Sequence, residues 1–224
     1  MNAHNTLFNR RLFLSTLALA GLSAPWHGLQ AATPGKVLVV GDSLSAEYGL
    51  ARGSGWVALM QQQLQADKIS ASIHNASISG DTSAGGRARL PGLLQQHKPA
   101  VVVIELGAND ALRGLSLDKT LDNLDSMVYM ARQTGARVLL LGIQVPPNYG
   151  ADYTRRLTET YARIARERKV ALVPFLLKGV GDVTNARQYF QADGIHPNAS
   201  AQPIIMRNVL PELKKLLAAA AARR

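Results

Sequence analysis

VLVVGDSLSAEYGL, residues 37–50, passes from four consecutive apolar residues to a loop of small and polar ones within a single Gly-Asp-Ser step. An apolar, β-branched run of that length is the mark of a strand buried on both faces, as in parallel sheets. Gly41 permits a tight turn that delivers Ser43 to the carboxyl edge of the sheet, where open α/β sheets bind their ligands. On these residues alone the plainer reading, Asp42 or Ser43 capping the next helix, stands ahead.

On both sides of this stretch, strand-like and helix-like segments alternate. Strands are expected at residues 36–40, 69–74, 100–106, 137–143 and 170–174. Helices are expected at residues 55–66, 84–97, 117–134 and 201–217, with Pro91 placed to kink or divide the second. A further helix starts from Asp152 as N-cap. It carries an apolar stripe of Leu157, Tyr161, Ile164 and Ala165 and pairs Glu159 with Arg163 at i,i+4. This alternation predicts the α/β class, with a five-stranded parallel sheet between helical layers.

Composition limits the rest. With 224 residues and 47% hydrophobic residues, one domain with one full core is expected. The net charge is +10, but basic residues are scattered and the longest cluster, Arg163 to Lys169, is interrupted by Glu167. That pattern is a solvated helix face and excludes a nucleic-acid groove. The absence of cysteine excludes disulfides, thiolate metal sites and cysteine nucleophiles.

Residues 1–31 read as a secretory signal peptide: Arg10 and Arg11, an apolar stretch from Leu12 to Leu22 too short to span a bilayer, Pro25, and small residues at Ala31 and Ala32. NRRLFLS also resembles the twin-arginine export pattern, so both export routes stay open. Residues 32–224 are then a single exported domain of net charge +8, periplasmic or secreted, monomeric and without a transmembrane segment.

Right-handed crossovers place all strand carboxyl ends on one side of the sheet. Four polar loops converge there: GDSLS with Ser43, NASISGDTSAGG with Gly80, GAND with Asn109, and DGIHPN with Asp193 and His196. Together they supply the hydroxyl, base, orienting group and oxyanion donors of nucleophilic acyl transfer. Each residue also has an ordinary reading. His196 is a loop histidine, Asp193 an Asx turn with Gly194, Gly80 a turn residue and Asn109 a helix cap. Asp42, Asp81 and Asp110 are expected to bond local backbone amides. The conjunction favours chemistry.

In order and spacing these blocks resemble those of the SGNH, or GDSL, hydrolase family, over essentially the whole chain beyond the leader. NASISGDTS, QVPPNYG and DGIHPNASAQP are similar to its periplasmic bacterial esterase and thioesterase branch. The resemblance implies a flavodoxin-like three-layer α/β/α sandwich. It implies Ser43 as nucleophile, His196 as base, Asp193 as its orienter, and an oxyanion hole of Ser43, Gly80 and Asn109. It implies no cofactor and no metal. Acyl esters and thioesters, including aryl esters and lysophospholipids, are the implied substrates. Glu47 departs from the small residue often found there, and a carboxylate beside the nucleophile is expected to disfavour anionic substrates.

Leu44, Ile78, Leu112, Val145, Pro146 and Ile195 are apolar residues near the expected crevice and are candidates for an acyl-chain site. Two other readings remain: a carbohydrate O-acetylesterase with the same catalytic groups, and a non-catalytic envelope lipid-binding protein. Competing motifs are poorer. GSGWVA at residues 53–58 lacks the preceding strand of a dinucleotide fingerprint, and GxSxG and HExxH are absent.

Overall fold

The computed structural model describes residues 35–145 and 149–222. The expected signal peptide and Pro146 lie outside these residues. Five parallel strands, β1 (Gly35–Gly41), β2 (Ala71–Asn75), β3 (Val101–Glu105), β4 (Arg137–Leu141) and β5 (Ala171–Val173), form one sheet in the order β2-β1-β3-β4-β5. Among the described residues six α-helices accompany them: α1 (Trp56–Ala66), α2 (Ser83–His97), α3 (Ala108–Leu112), α4 (Leu117–Gln133), α5 (Ala151–Arg168) and α6 (Gln202–Ala221). Helices α1 and α6 pack together on one face of the sheet; α2, α4 and α5 pack side by side on the other. The α/β fold and its parallel sheet are those read from the sequence.

The three central strands are apolar without alternation because both faces are covered. Val37 to Val40, Val101 to Ile104 and Val138 to Leu141 are all buried. Trp56, Met60 and Leu64 of α1, with Ile205, Val209 and Leu213 of α6, fill one side; Leu90, Leu124, Met127, Val128, Leu157 and Ile164 fill the other. Burial of each such side chain contributes about 1.5–3 kcal/mol before chain entropy is counted.

Several boundaries differ from expectation. Strand β2 starts at Ala71 because Lys68 turns left-handed (φ 57°) and the Ile69 amide donates back to Leu64 O at 2.9 Å, so Ile69 closes α1. Pro91 does not divide α2, which runs unbroken from Ser83 to His97 with Pro91 on its exposed face. Gly150, rather than Asp152, precedes α5, and Asp152 pairs with Arg155 inside the first turn. Glu159 lies 3.5 Å from Arg155, while Arg163 bonds Glu167 at 2.9 Å, in place of the expected Glu159–Arg163 pair. Helix α3 was not readable in advance. Its five residues are too few to show a period.

The chain runs outward from β1 to β2, then returns past β1 to β3. Strands β1 and β3 therefore diverge in connection at their carboxyl ends, which opens a crevice between the two loops that follow them. Ser43 follows β1 and Asn109 follows β3.

Candidate active site

Val37 to Gly41 register against Val101 to Glu105, so β1 and β3 end side by side. Gly41 is required by proximity. A Cβ there would come within 2.8 Å of Glu105 Oε2 and 2.9 Å of both Ser45 Oγ and Ser77 Oγ. The chain then turns sharply, with the Ser45 and Ala46 amides donating to Asp42 O at 3.2 and 3.0 Å, and this turn presents a half-buried Ser43. The Trp56 indole donates to Leu44 O at 3.1 Å and pins the loop to α1.

His196 Nε2 lies 2.9 Å from Ser43 Oγ, and His196 Nδ1 lies 2.7 Å from Asp193 Oδ2. The other carboxylate oxygen of Asp193 accepts the Ile195 and His196 amides at 2.9 and 3.0 Å. Asp193 thus forms the local turn its spacing suggested and also grips the imidazole. Hydrogen bonds from His196 and these amides hold its carboxyl down at about 2. The ring of Tyr48 lies over the imidazole with centroids 4.2 Å apart.

Two glutamines, missed by motif reading, hold the histidine loop in place. Gln191 Nε2 donates to Tyr48 O at 2.8 Å and to Pro197 O at 3.2 Å, joining this loop to the one bearing Ser43. Gln202, buried, accepts the Trp56 amide at 3.0 Å and donates to Pro197 O and Asn198 O, each at 3.3 Å. Long-range polar contacts of this kind leave no local pattern in a sequence.

Gly80 occupies the third position of a turn closed by Asp81 N donating to Ile78 O at 3.0 Å. Its φ of 80° is the left-handed geometry that favours glycine. The Arg113 guanidinium donates to Gly80 O at 2.8 Å and fixes that peptide. Asn109 sits in the first turn of α3, not at its cap, and its Nδ2 donates to Asp42 Oδ2 at 3.1 Å.

Asp42 does bond a local amide, that of Leu44 at 3.0 Å, as expected, but the link to Asn109 was not foreseen. Burial pushes its carboxyl up to about 6. Beneath it lies Glu105, fully buried at the end of β3. Glu105 Oε2 accepts Ser45 Oγ at 2.7 Å and the Asp42 amide at 3.4 Å, while Oε1 has no hydrogen-bond partner among the described residues. Burial first, and the neighbouring Asp42 second, raise the Glu105 carboxyl well above its ordinary value.

The expectation for Asp81 holds in part, since it accepts the Thr82 amide at 3.0 Å but also pairs with Arg89 at 2.8 Å. That for Asp110 is corrected: it is buried and accepts the distant Ser83 amide at 2.8 Å and Thr120 Oγ1 at 3.2 Å, so it ties α3 to α2 and α4. Glu47 has a local task as well: both its oxygens accept backbone amides, of Gly53 at 3.0 Å and Gly55 at 2.8 Å, so its carboxylate organises the approach to α1.

Of the apolar candidates, Ile78 and Ile195 are 53% and 49% exposed beside Gly80 and His196, Leu44 and Leu112 are half-buried, and Val145 is 6% exposed within the core. Among the described residues no group of three or more His, Asp or Glu is placed to hold a metal ion.

A hydroxyl, an imidazole and a carboxylate in one hydrogen-bonded line, at the switch point of a parallel sheet, define a serine-hydrolase type of site. The sequence places it more closely: residues 39–202 match the GDSL-like lipase/acylhydrolase family, and the chain belongs to that family. It is 52% identical over 204 residues to the esterase TesA of Pseudomonas aeruginosa, across 91% of this chain and 100% of that protein. The thioesterase 1/protease 1/lysophospholipase L1 of Escherichia coli K12 is 40% identical over 188 residues, across 84% of this chain and 88% of its own. A crystal structure of TesA superposes with a TM-score of 0.77 at 55% identity, covering 81% of this chain and 99% of that one. The chain is a hydrolase of acyl esters and thioesters.

Proposed function

We propose that Ser43 is the nucleophile, His196 the general base and acid, Asp193 its orienting carboxylate, and that the amides of Ser43 and Gly80 with the Asn109 side chain form the oxyanion hole. The observation that carries this reading is the unbroken line Asp193–His196–Ser43, at 2.7 and 2.9 Å. As Ser43 Oγ bonds to the substrate carbonyl carbon, its proton passes to His196 Nε2, and Asp193 stabilises the imidazolium. The carbonyl π electrons move onto oxygen, where the three N–H groups meet them. Collapse expels the alcohol or thiol, which takes the proton from His196. Water, deprotonated by His196, then releases the acid from Ser43.

The substrates are aryl esters, fatty acyl thioesters and lysophospholipids, and the domain is exported, a reading that rests on the composition of its leader. Ile78 and Ile195 flank the reacting centre and receive the acyl chain. Each methylene buried there contributes up to about 0.8 kcal/mol, roughly fourfold in kcat/KM. Rates for p-nitrophenyl esters are therefore expected to climb from acetate through octanoate, and Ile78→Ala to weaken octanoate by about 1 kcal/mol while sparing acetate. Val145, being in the core, is a poorer probe. An acetate preference that Ile78→Ala does not alter contradicts the acyl-chain site and favours the O-acetylesterase reading.

Asn109→Ala tests the oxyanion hole. It is expected to lower kcat by roughly 10²- to 10³-fold with KM nearly unchanged. A change confined to KM makes Asn109 a substrate-binding residue instead.

A further inference from the structure

The amide of an asparagine presents a donor on one side and an acceptor on the other, and an oxyanion hole works only if the donor faces the reacting oxygen. The surroundings of Asn109 settle which side faces where. Asp42 is completely buried, and its two oxygens have separate tasks: Oδ1 takes the Leu44 amide at 3.0 Å and Oδ2 takes Asn109 Nδ2 at 3.1 Å. We propose that Asp42 is a positioning residue for catalysis, acting through Asn109 by fixing the orientation of its side-chain amide.

A carboxylate only accepts, so the Asn109 NH₂ group, not its carbonyl, must face Asp42. One N–H is consumed in that bond. The second, on the same nitrogen and with no other hydrogen bond among the described residues, is left for the substrate oxygen. The same carboxylate holds the Leu44 amide, one residue beyond the nucleophile, so one group sets both Ser43 and Asn109 although they follow different strands. Glu105 supports the arrangement from below by binding the Asp42 amide and Ser45 Oγ.

Asp42→Asn is the informative change. With its oxygen on the Leu44 amide, the new NH₂ group meets the Asn109 NH₂ group; Asn109 then turns its carbonyl toward residue 42 and toward the oxyanion, where it repels. Asp42→Ser removes the link differently: its hydroxyl still reaches the Leu44 amide in a short turn but not Asn109. The inference rests on the oxyanion role proposed for Asn109, and the two are separable by experiment.

The experiment is a double-mutant cycle of Asp42→Asn with Asn109→Ala, repeated with Asp42→Ser in case the first variant does not fold. It reads kcat and KM on p-nitrophenyl butyrate and the melting temperature. Each Asp42 variant alone is expected to lower kcat by roughly 30- to 300-fold with KM within about twofold. In the Asn109→Ala background the same change is expected to cost no more than about threefold, because its target is gone. Losses that multiply, or an Asp42 variant with undiminished kcat, overturn the inference while leaving the role of Asn109 standing. Undiminished kcat in Asn109→Ala alone overturns both.

Discussion

Ser43→Ala is expected to lower kcat by about 10⁴-fold or more while leaving the protein folded. The chemical half follows from the line of hydrogen bonds. Without Oγ no acyl-enzyme forms, His196 is left to activate water across a longer gap, and only binding and the oxyanion donors still act. The structural half follows from the residue's surroundings. Ser43 is half-buried and its hydroxyl bonds only His196 among the described residues, whereas the turn is held by Asp42, Ser45, Trp56 and Glu105. The melting temperature is therefore expected to stay within the small range typical of such changes, about 1 kcal/mol in stability. Retained turnover in the folded variant contradicts the assignment.

Glu105→Gln is expected to change how stability depends on pH, by a large amount. Glu105 is fully buried and its carboxyl is raised well above 4.5, chiefly by burial and then by the charge of Asp42. The folded protein therefore keeps a proton that the unfolded chain releases near 4.5. Stability from this group is complete below that value and is lost as pH rises toward the folded value, by about 1.4 kcal/mol per pH unit at most. Asp42, raised from 3.8 to about 6, adds a loss of the same sign between those limits. Glutamine carries no such proton and keeps an oxygen for Ser45 Oγ. The stability of Glu105→Gln relative to the parent is thus expected to improve as pH rises above 4.5. Urea unfolding of both proteins at pH 4.5, 6 and 8 measures the slope. A difference independent of pH contradicts the neutral, buried carboxyl.

The contrast between Ser43 and Glu105 shows what the sequence carried. Ser43, Gly80, Asn109, Asp193 and His196 stand at the ends of strands or in Gly-marked loops, where an apolar run stops and a polar residue has no packing reason to be. The sheet was readable for the same reason, since Val37 to Val40 and Val101 to Ile104 are continuous apolar runs. Glu105 sits inside such a run and was absorbed into the strand, although a carboxyl in a strand buried on both faces is itself a signal. Asp42 was visible but assigned only its local bond. Its partner Asn109 is 67 residues away, a distance only the register of β1 against β3 closes. Gln191 and Gln202 were silent because an amide bridging two loops looks in sequence like any surface glutamine. Val145 entered as a pocket candidate because loop position says nothing about whether a side chain turns back into the core.

The central claim is that one hydroxyl, that of Ser43, carries the acyl group. Incubation with a fluorophosphonate, followed by intact-mass measurement and peptide mapping, tests it directly. A single adduct per chain on Ser43 is expected, formed in step with the loss of esterase activity and absent from Ser43→Ala. An adduct on another residue that tracks the loss of activity, or full inactivation with Ser43 unmodified, would contradict it.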